Sequence, residues 1–170
     1  MRSFLLDALR KGKATIAPPG PDAAALEEAA RALGERARQR LGRSLAIREI
    51  DTGSCNGCEL EIHAVNNPVY DVERFGLKFV ASPRHADVLL VTGPVTWNMR
   101  EALLRTYNAT PEPKWVVALG DCAVNCGVFA GSPAVVGPLA DILPVDLRVA
   151  GCPPPPLEIV KGLLALMEAR

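Results

Sequence analysis

Short, nearly unbroken apolar runs alternate along the chain with longer segments in which apolar residues recur at helical spacing. The runs are rich in Val, Leu and Ile, which is typical of strands buried on both faces of a parallel sheet. They predict strands at 45–50, 77–81, 88–92, 115–119 and 145–149, with helices at 58–66, 97–107 and 157–168. This alternation predicts an α/β fold, an open doubly wound parallel sheet with the flavodoxin-like strand order 2-1-3-4-5.

The pattern before the first strand predicts an N-terminal arm and helix at 1–44, ahead of a flavodoxin-like domain at 45–170. Asp22 is placed to cap a helix that continues to about Leu41 and carries a thin apolar stripe beside a charged face. Residues 1–21 form the expected arm, which has an apolar face of its own. Docking of this face on a partner and fraying of the terminus are both open interpretations.

Composition and charge narrow the classes of function. The chain has 170 residues, of which 49% are hydrophobic and 22% are charged, as in an ordinary globular domain. Its 19 basic and 19 acidic residues balance, so no strong positive electrostatic field favours binding to nucleic acid or to an anionic membrane surface. Aromatic residues make up only 5%, too few for a base-stacking surface. We therefore expect no nucleic-acid partner.

The chain shows no pattern of a secretory leader or a membrane span. Asp7 interrupts the first apolar stretch, which is unlike a signal peptide. No segment reaches the roughly 20 apolar residues that a membrane helix needs. We expect a reducing cytoplasm, where cysteines are more often metal ligands or free thiols than disulfides. The chain can still lie against a partner that spans a membrane.

Four of the five cysteines follow predicted strands. Cys55 and Cys58 come after the first strand, Cys122 after the fourth, and Cys152 after the fifth. Because ligands of open α/β sheets bind beyond the carboxyl ends of the strands, we expect these loops to converge. Four thiolates brought together in this way can hold one [4Fe–4S] cluster, a group that transfers electrons.

The residues around these cysteines suit a cluster. Cys58 is predicted to begin a helix, whose positive end stabilises a thiolate. Pro153 follows Cys152 directly, as proline follows a cluster cysteine in bacterial ferredoxins. Glycines let the backbone approach closely and donate N–H groups to sulfur. The glycines of the three loops are Gly53, Gly57, Gly120, Gly127 and Gly151.

Three other interpretations of the cysteines stay open. Free cysteines are among the most buried residue types, so these are candidates for the core. Cys55 and Cys58 have the spacing of a thioredoxin-like redox pair. The four together suit structural zinc in a flavodoxin-like binding module. Cysteine sites at three strand ends favour the cluster, because zinc sites more often use two close pairs.

At these residues the chain resembles a known family, from residue 51 to about 164. The segments that carry the resemblance are GSCNGCE at 53–59, YDVERFG at 70–76, SPRHADVLLVTGPVT at 82–96, TPEPKWV at 110–116 and GCPP at 151–154. They are similar to the small, proximal-cluster subunit that energy-converting membrane-bound [NiFe] hydrogenases share with respiratory complex I, the NADH-quinone oxidoreductase.

The first motif separates two branches of that family. Complex I subunits carry adjacent cysteines there, whereas hydrogenase subunits carry Cys-x-x-Cys, as this chain does in Cys55-Asn56-Gly57-Cys58. The chain is therefore most similar to small subunits of membrane-bound, formate-hydrogenlyase-type and hydrogenase-4-type complexes. The alternative is a quinone-proximal cluster subunit of a complex-I-like NADH-quinone oxidoreductase.

The resemblance implies that the chain is one subunit of an oxidoreductase complex and is not catalytic alone. Cys55, Cys58, Cys122 and Cys152 would bind one [4Fe–4S] cluster, next to the NiFe centre of a separate large subunit. Further clusters would lie in a ferredoxin-like subunit, and the N-terminal arm would contact a membrane-arm subunit. The chain would then be cytoplasmic and peripheral on the inner face of the cell membrane, held through its partners.

Four further residues are candidates for a place beside the cluster. Cys126 stands where the family usually has glycine or another small residue, and is either a spectator thiol or a competitor of Cys122. Glu59 and Glu61 are candidate proton carriers, although Glu59 suits a helix N-terminus equally. Arg84 either contacts the cluster or the large subunit, or forms a surface salt bridge. No phosphate-cradling glycine pattern follows the central strand, so we predict no flavin.

Overall fold

Five parallel strands form the central sheet of the computed structural model, which describes residues 23–169. The helices are α1 (Ala23–Leu41), α2 (Gly57–Val65), α3 (Trp97–Ala109), α4 (Asp121–Asn125) and α5 (Pro156–Glu168). The strands are β1 (Leu45–Asp51), β2 (Leu77–Phe79), β3 (Val88–Thr92), β4 (Val95–Thr96), β5 (Trp115–Leu119), β6 (Val135–Gly137) and β7 (Leu147–Val149). The central order is β2-β1-β3-β5-β7, with every pair parallel. Counted along the predicted strands this is 2-1-3-4-5, so the predicted α/β fold is confirmed.

The core consists of two apolar layers, one on each face of the sheet. Every residue of β3 is buried, as expected for the central strand of a parallel sheet. Because side chains alternate along a strand, Leu90 packs on one face and Leu89 on the other. The layer around Leu90 also contains α1, α2 and α5, whereas Leu103 of α3 packs with Leu89. The sheet is therefore covered by helices on both sides.

Helix α1 packs on the sheet through a stripe of small and branched side chains. Leu26, Ala30, Leu33 and Ala37 recur every three or four residues and are at most 1% exposed. Arg40, at the end of α1, donates hydrogen bonds to the carbonyls of Leu166 and Met167 near the end of α5, and to that of Ala169 just after it, at 2.7 Å. The described part of segment 1–44 thus shares one core with the sheet. The predicted arm and the capping residue Asp22 lie outside the described residues.

Several elements differ from the prediction. Strand β7 begins at Leu147 because Val116 donates its N–H to the carboxylate of Asp146, at 2.7 Å. Strand β2 ends at Phe79, and the chain reaches a single helical turn, Pro83–His85, before β3. The antiparallel pair of β4 and β6 was not predicted, because strands of two and three residues are too short to show a period. Within residues 23–169, no helix combines the length and the apolarity needed to cross a membrane.

Candidate metal centre

Four cysteine side chains line one cavity at the carboxyl edge of the sheet. The cavity has a volume of about 100 Å³, and Cys55, Cys58, Cys122 and Cys152 all form part of its wall. The loops that supply them follow β1, β5 and β7, which lie on either side of β3. The structure therefore brings together the four residues that the sequence singled out as ligands.

Backbone hydrogen bonds tie the loop after β5 to the loop after β7. Gly120 donates its N–H to the carbonyl of Val149, and Asp121 donates its N–H to the carbonyl of Gly151, both at 2.8 Å. The Asp121 carboxylate in turn accepts the N–H of Gly151, also at 2.8 Å. These bonds hold Cys122 and Cys152 in a defined relation to each other, independently of any bound group.

The loop after β1 is ordered by its own short polar side chains. Asp51 accepts the N–H groups of Gly53 and Ser54, at 2.8 and 2.7 Å. The buried Thr52 hydroxyl donates to the carbonyl of Thr92 at 2.7 Å, which fastens this loop to the end of β3. Asn56 adopts a left-handed conformation with φ of 70° just before α2 begins. Together these contacts place Cys55 and Cys58 on either side of one tight turn.

Two glycines leave the space that the inner thiols occupy. Gly120 has φ of +85°, and a Cβ built on it would lie 2.6 Å from Sγ of Cys58. Gly127 has φ of +47°, and a Cβ there would lie 2.9 Å from Sγ of Cys122. Both positions thus favour glycine for two reasons: the positive φ disfavours a side chain, and a Cβ would collide with the sulfur atom.

Burial divides the four thiols into an inner and an outer pair. Cys58 and Cys122 are buried, whereas Cys55 and Cys152 are exposed. Burial raises the pKa of Cys58 to about 12, and the Glu59 carboxylate and the other three thiols act in the same direction. Burial also raises the pKa of Cys122, with a smaller opposing effect from a backbone hydrogen bond at Val128. A thiolate here therefore needs a cationic partner, such as a bound metal.

Cys126 stands apart from these four residues. It is buried, its backbone has a left-handed conformation with φ of 68°, and it does not form part of the cavity wall. Burial raises its pKa, followed by the negative charge of Asp141, and none of the four cavity cysteines contributes. This position favours Cys122 over Cys126 as the third member of the set.

The two glutamates of α2 occupy different surroundings. Oε2 of Glu59 accepts a hydrogen bond from the Ser54 hydroxyl at 2.8 Å, and Oε1 is buried without a partner among the described residues. Glu61 is half-buried and does not line the cysteine cavity. Only Glu59 therefore has a direct link to the loop that carries Cys55.

Glu49 was missed by the sequence analysis. Its carboxylate lines a second cavity, of about 410 Å³, together with Arg48, Glu59 and His63. Burial raises the pKa of Glu49, and the charges of Glu59 and then Asp51 raise it further. The available signal was the Arg48-Glu49 pair, which interrupts an otherwise apolar strand.

Arg84 does not line the cysteine cavity, so a contact with the cluster has no support here, while a contact with the large subunit stays a prediction. It belongs to the turn Pro83–His85 before β3, whereas the cysteine cavity meets the chain after β3, at Gly93. Five strand residues separate the two ends, which corresponds to about 16 Å. Among residues 23–169 it also forms no ion pair, so the expected salt bridge is not found there.

A single-ion site does not emerge from the described side chains. Within residues 23–169, no group of three or more His, Cys, Asp or Glu side chains is arranged to hold one metal ion. The four cysteines surround a cavity, and their donor atoms are all thiols. This arrangement fits a group larger than an ion, and thiolates are the ligands of iron–sulfur clusters.

The sequence is similar to proteins of several redox complexes. It matches the family described as NADH ubiquinone oxidoreductase, 20 Kd subunit, over residues 55–166. It is 50% identical over 128 residues to the probable membrane-bound hydrogenase subunit mbhJ of Pyrococcus furiosus, covering 75% of this chain and 77% of that protein. It is 43% identical over 135 residues to formate hydrogenlyase subunit 7 of Escherichia coli, covering 78% of this chain and 53% of that protein. It is 47% identical over 112 residues to an NADH-quinone oxidoreductase subunit of Herpetosiphon aurantiacus, covering 65% and 62%.

Solved structures show the same architecture. A chain of the membrane-bound sulfane sulfur reductase, an archaeal respiratory membrane complex, is 36% identical, with a TM-score of 0.66 over 81% of this chain and 74% of that one. A chain of an NAD⁺-reducing [NiFe]-hydrogenase is 22% identical, with a TM-score of 0.60 over 75% and 93%. At that identity the second likeness concerns the fold alone.

Proposed function

Because this chain belongs to the family of the NADH ubiquinone oxidoreductase 20 Kd subunit, we propose that it is an electron-transfer subunit carrying one [4Fe–4S] cluster. Its relatives are subunits of hydrogenases and NADH-quinone oxidoreductases, so the chain is a subunit of an oxidoreductase complex. In this proposal the cluster lies next to the NiFe site of a partner large subunit in a membrane-associated hydrogenase complex. The complex also contains a ferredoxin-like cluster subunit.

The observation that carries the proposal is the cavity walled by Cys55, Cys58, Cys122 and Cys152. Thiols from three loops meet there, and Gly120 leaves room for the inner sulfur of Cys58. A [4Fe–4S] cluster, when bound, accepts and donates one electron at a time. The chain contributes the four ligands, the burial of two of them and the backbone N–H groups near sulfur, which together set the potential.

The exposed side of the cavity is where a partner would meet the chain. Cys55 and Cys152 are exposed, and so are two large apolar side chains next to the cysteine-bearing segments in sequence. Leu60, two residues after Cys58, is 60% exposed, and Val128, next to Gly127, is 80% exposed. A large subunit that covered this edge would bury both side chains and shield the cluster from water.

The hydrogenase branch is preferred to the quinone branch because of the spacing of the first two cysteines. Cys55 and Cys58 are separated by two residues, as in the hydrogenase subunits that the chain resembles. The similarity to a subunit of an NADH-quinone oxidoreductase keeps the quinone-proximal role as the second candidate. The sequence of the large subunit encoded with this chain distinguishes the hydrogenase role from the quinone-proximal role. Two Cys-x-x-Cys pairs in it support NiFe, and their absence supports a quinone site.

Anaerobic purification tests the cluster itself. We expect a brown protein with about four iron and four acid-labile sulfide per chain. Cys122→Ser should lose most of the iron, whereas Cys126→Ser, which removes a buried thiol outside the cavity, should keep it. A colourless protein that contains zinc contradicts the proposal. Loss of iron only in Cys126→Ser contradicts the ligand assignment but not the function.

Peripheral attachment to the inner face of the cell membrane is the last part of the proposal. The relatives include a membrane-bound hydrogenase subunit, while the described helices do not cross a membrane. Contact with a membrane-arm subunit is assigned to the N-terminal arm, outside the described residues. Deletion of residues 1–21 should release the chain and its cluster from the membrane fraction, and continued sedimentation with membranes would contradict this assignment.

A further inference from the structure

A third cavity lies at the amino-terminal edge of the sheet, opposite the cysteines. It has a volume of about 300 Å³, and its polar wall consists of Arg43, Lys78, Arg84 and His85. We call it the basic cavity. Lys78 is on β2, and Arg84 and His85 form the turn that precedes β3. The charged side chains of its wall are therefore all basic.

The carboxylates nearest to this cavity are already engaged. Asp87 is buried and accepts two hydrogen bonds from Arg43, at 2.9 and 2.6 Å, and one from the N–H of Ala46 at 2.9 Å. Glu112, next to the cavity wall at Pro111, pairs with Lys114 at 3.2 Å. The charge of Arg43 is thus matched within the chain.

Within residues 23–169, Lys78, Arg84 and His85 have no such match. Among the ion pairs of residues 23–169, none includes any of these three side chains. All three are exposed and border one concave space. A guanidinium and an ammonium beside the same cavity favour a carboxylate, which accepts charge-assisted hydrogen bonds from both.

We propose that the basic cavity is a second docking site, which receives an acidic side chain of a neighbouring subunit. The inference rests on the proposed function, in which the chain is one subunit of a complex. The cavity, of about 300 Å³, has room for an Asp or Glu side chain. The protein would then have two docking edges at opposite ends of the sheet. The large subunit covers the cysteine edge, and an acidic segment of another subunit occupies the basic edge.

A protein partner fits this cavity better than a lipid surface. Polybasic segments that bind anionic membranes contain roughly four to eight clustered Lys or Arg residues. Here Arg43 is neutralised by Asp87, which leaves Lys78 and Arg84 as the cations. The whole chain has no excess of basic over acidic residues, with 19 of each. The positive charge is local, as expected for recognition of one carboxylate.

Zero-length cross-linking of the intact complex tests the contact. The complex is purified through a tag on this chain and treated with a carbodiimide, which joins an amine to a touching carboxylate. We expect Lys78 to be joined to an Asp or Glu of another subunit, identified by mass spectrometry. Lys161, which lies 3.0 Å from Glu158 of the same chain, provides the internal control for the reaction. A complex in which Lys161 reacts and Lys78 joins no other subunit overturns the proposal.

Charge reversal provides the second measurement. The double variant Lys78→Glu/Arg84→Glu should lose the neighbouring subunit about tenfold more readily than the wild type in rising salt. The matched control is Arg38→Glu/Arg148→Glu, which makes the same change of charge at exposed positions outside the cavity. Equal retention in the two variants overturns the proposal. So does unchanged subunit composition combined with lost binding to vesicles rich in anionic lipid, which would assign the cavity to the membrane.

Iron and sulfide contents separate this inference from the proposed function. The Lys78→Glu/Arg84→Glu protein should keep its cluster, because about 16 Å of β3 separates the basic cavity from the cysteines. A wild-type chain that binds iron but copurifies with no other subunit overturns the acidic contact and the part of the proposed function that places the chain in a complex. An intact iron-bearing complex that lacks the Lys78 cross-link overturns only the acidic contact.

Discussion

Replacement of Gly120 with alanine tests whether the cavity is shaped for the sulfur atoms of cluster ligands. Gly120 lies between β5 and Cys122, with φ of 85° and ψ of 157°. Residues with a Cβ hardly ever adopt this conformation. A Cβ there would also lie 2.6 Å from Sγ of Cys58 and 3.4 Å from the carbonyl oxygen of Gly151. The substitution therefore adds backbone strain to a collision with one ligand.

The expected magnitude follows from these two effects. The backbone conformation alone costs about 1–3 kcal/mol, and overpacking at a well-filled site costs about 1–3 kcal/mol more. To reach ordinary contact at 3.4 Å, Cβ and Sγ must separate by a further 0.8 Å. Metal–ligand distances tolerate only about 0.2 Å. We therefore expect Gly120→Ala to lower the free energy of unfolding of the metal-free protein by about 2–6 kcal/mol and to abolish most cluster binding.

Gly131→Ala is the matched control. Gly131 also has a positive φ, of +81°, but a Cβ built on it has no atom within 4 Å. This variant thus carries backbone strain without a collision, which costs about 1–2 kcal/mol. It should bind as much iron as the wild type.

The assay combines anaerobic reconstitution with urea unfolding. Iron and acid-labile sulfide per chain report the cluster, urea midpoints report stability, and far-ultraviolet circular dichroism shows that each variant is folded. If folded Gly120→Ala takes up iron and sulfide like the wild type, Cys58 is not held against Gly120 as a ligand. If Gly131→Ala loses iron as well, backbone strain explains the loss, and the contact between Cβ and Sγ of Cys58 does not.

Two further predictions concern the pH dependence of stability and the buried carboxylate of Asp87. In the metal-free protein the folded state retains the proton of Cys58 up to a pKa of about 12, whereas the unfolded chain releases it at the ordinary value of 9.0. The free energy of unfolding should therefore fall as pH rises from about 9 to about 12, and Cys58→Ala should flatten this slope in anaerobic urea titrations; an unchanged slope would contradict the assignment. Asp87→Asn should lower the free energy of unfolding by about 1–3 kcal/mol, because it weakens the bonds from Arg43 and Ala46. The exposed pair of Arg105 and Glu101 is the control, and Arg105→Ala should change stability by less than about 1 kcal/mol in the same titration.

The parallel sheet was predictable because its central strands, β3 and β5, are buried on both faces. Residues 88–92 and 115–119 are continuous apolar runs, and the structure has strands with the same bounds. The ends of the edge strands were less predictable, since β7 begins two residues late where an Asp146 side chain replaces a backbone acceptor. Helix α4 was missed because its five residues are set by the turn at Gly120 and not by an apolar period.

The convergence of the cysteines and the separation of Arg84 follow from one rule of α/β topology. Residues after parallel strands meet at the carboxyl edge, and residues before them meet at the opposite edge, about 16 Å away for β3. Cys55 and Cys152 come after strands, whereas Arg84 comes before one. Arg84 and Gly93 stand in one continuous family motif, but they lie at opposite ends of β3. Residues in such a motif therefore divide into two groups, those that serve the cluster and those that serve a second contact at the far edge.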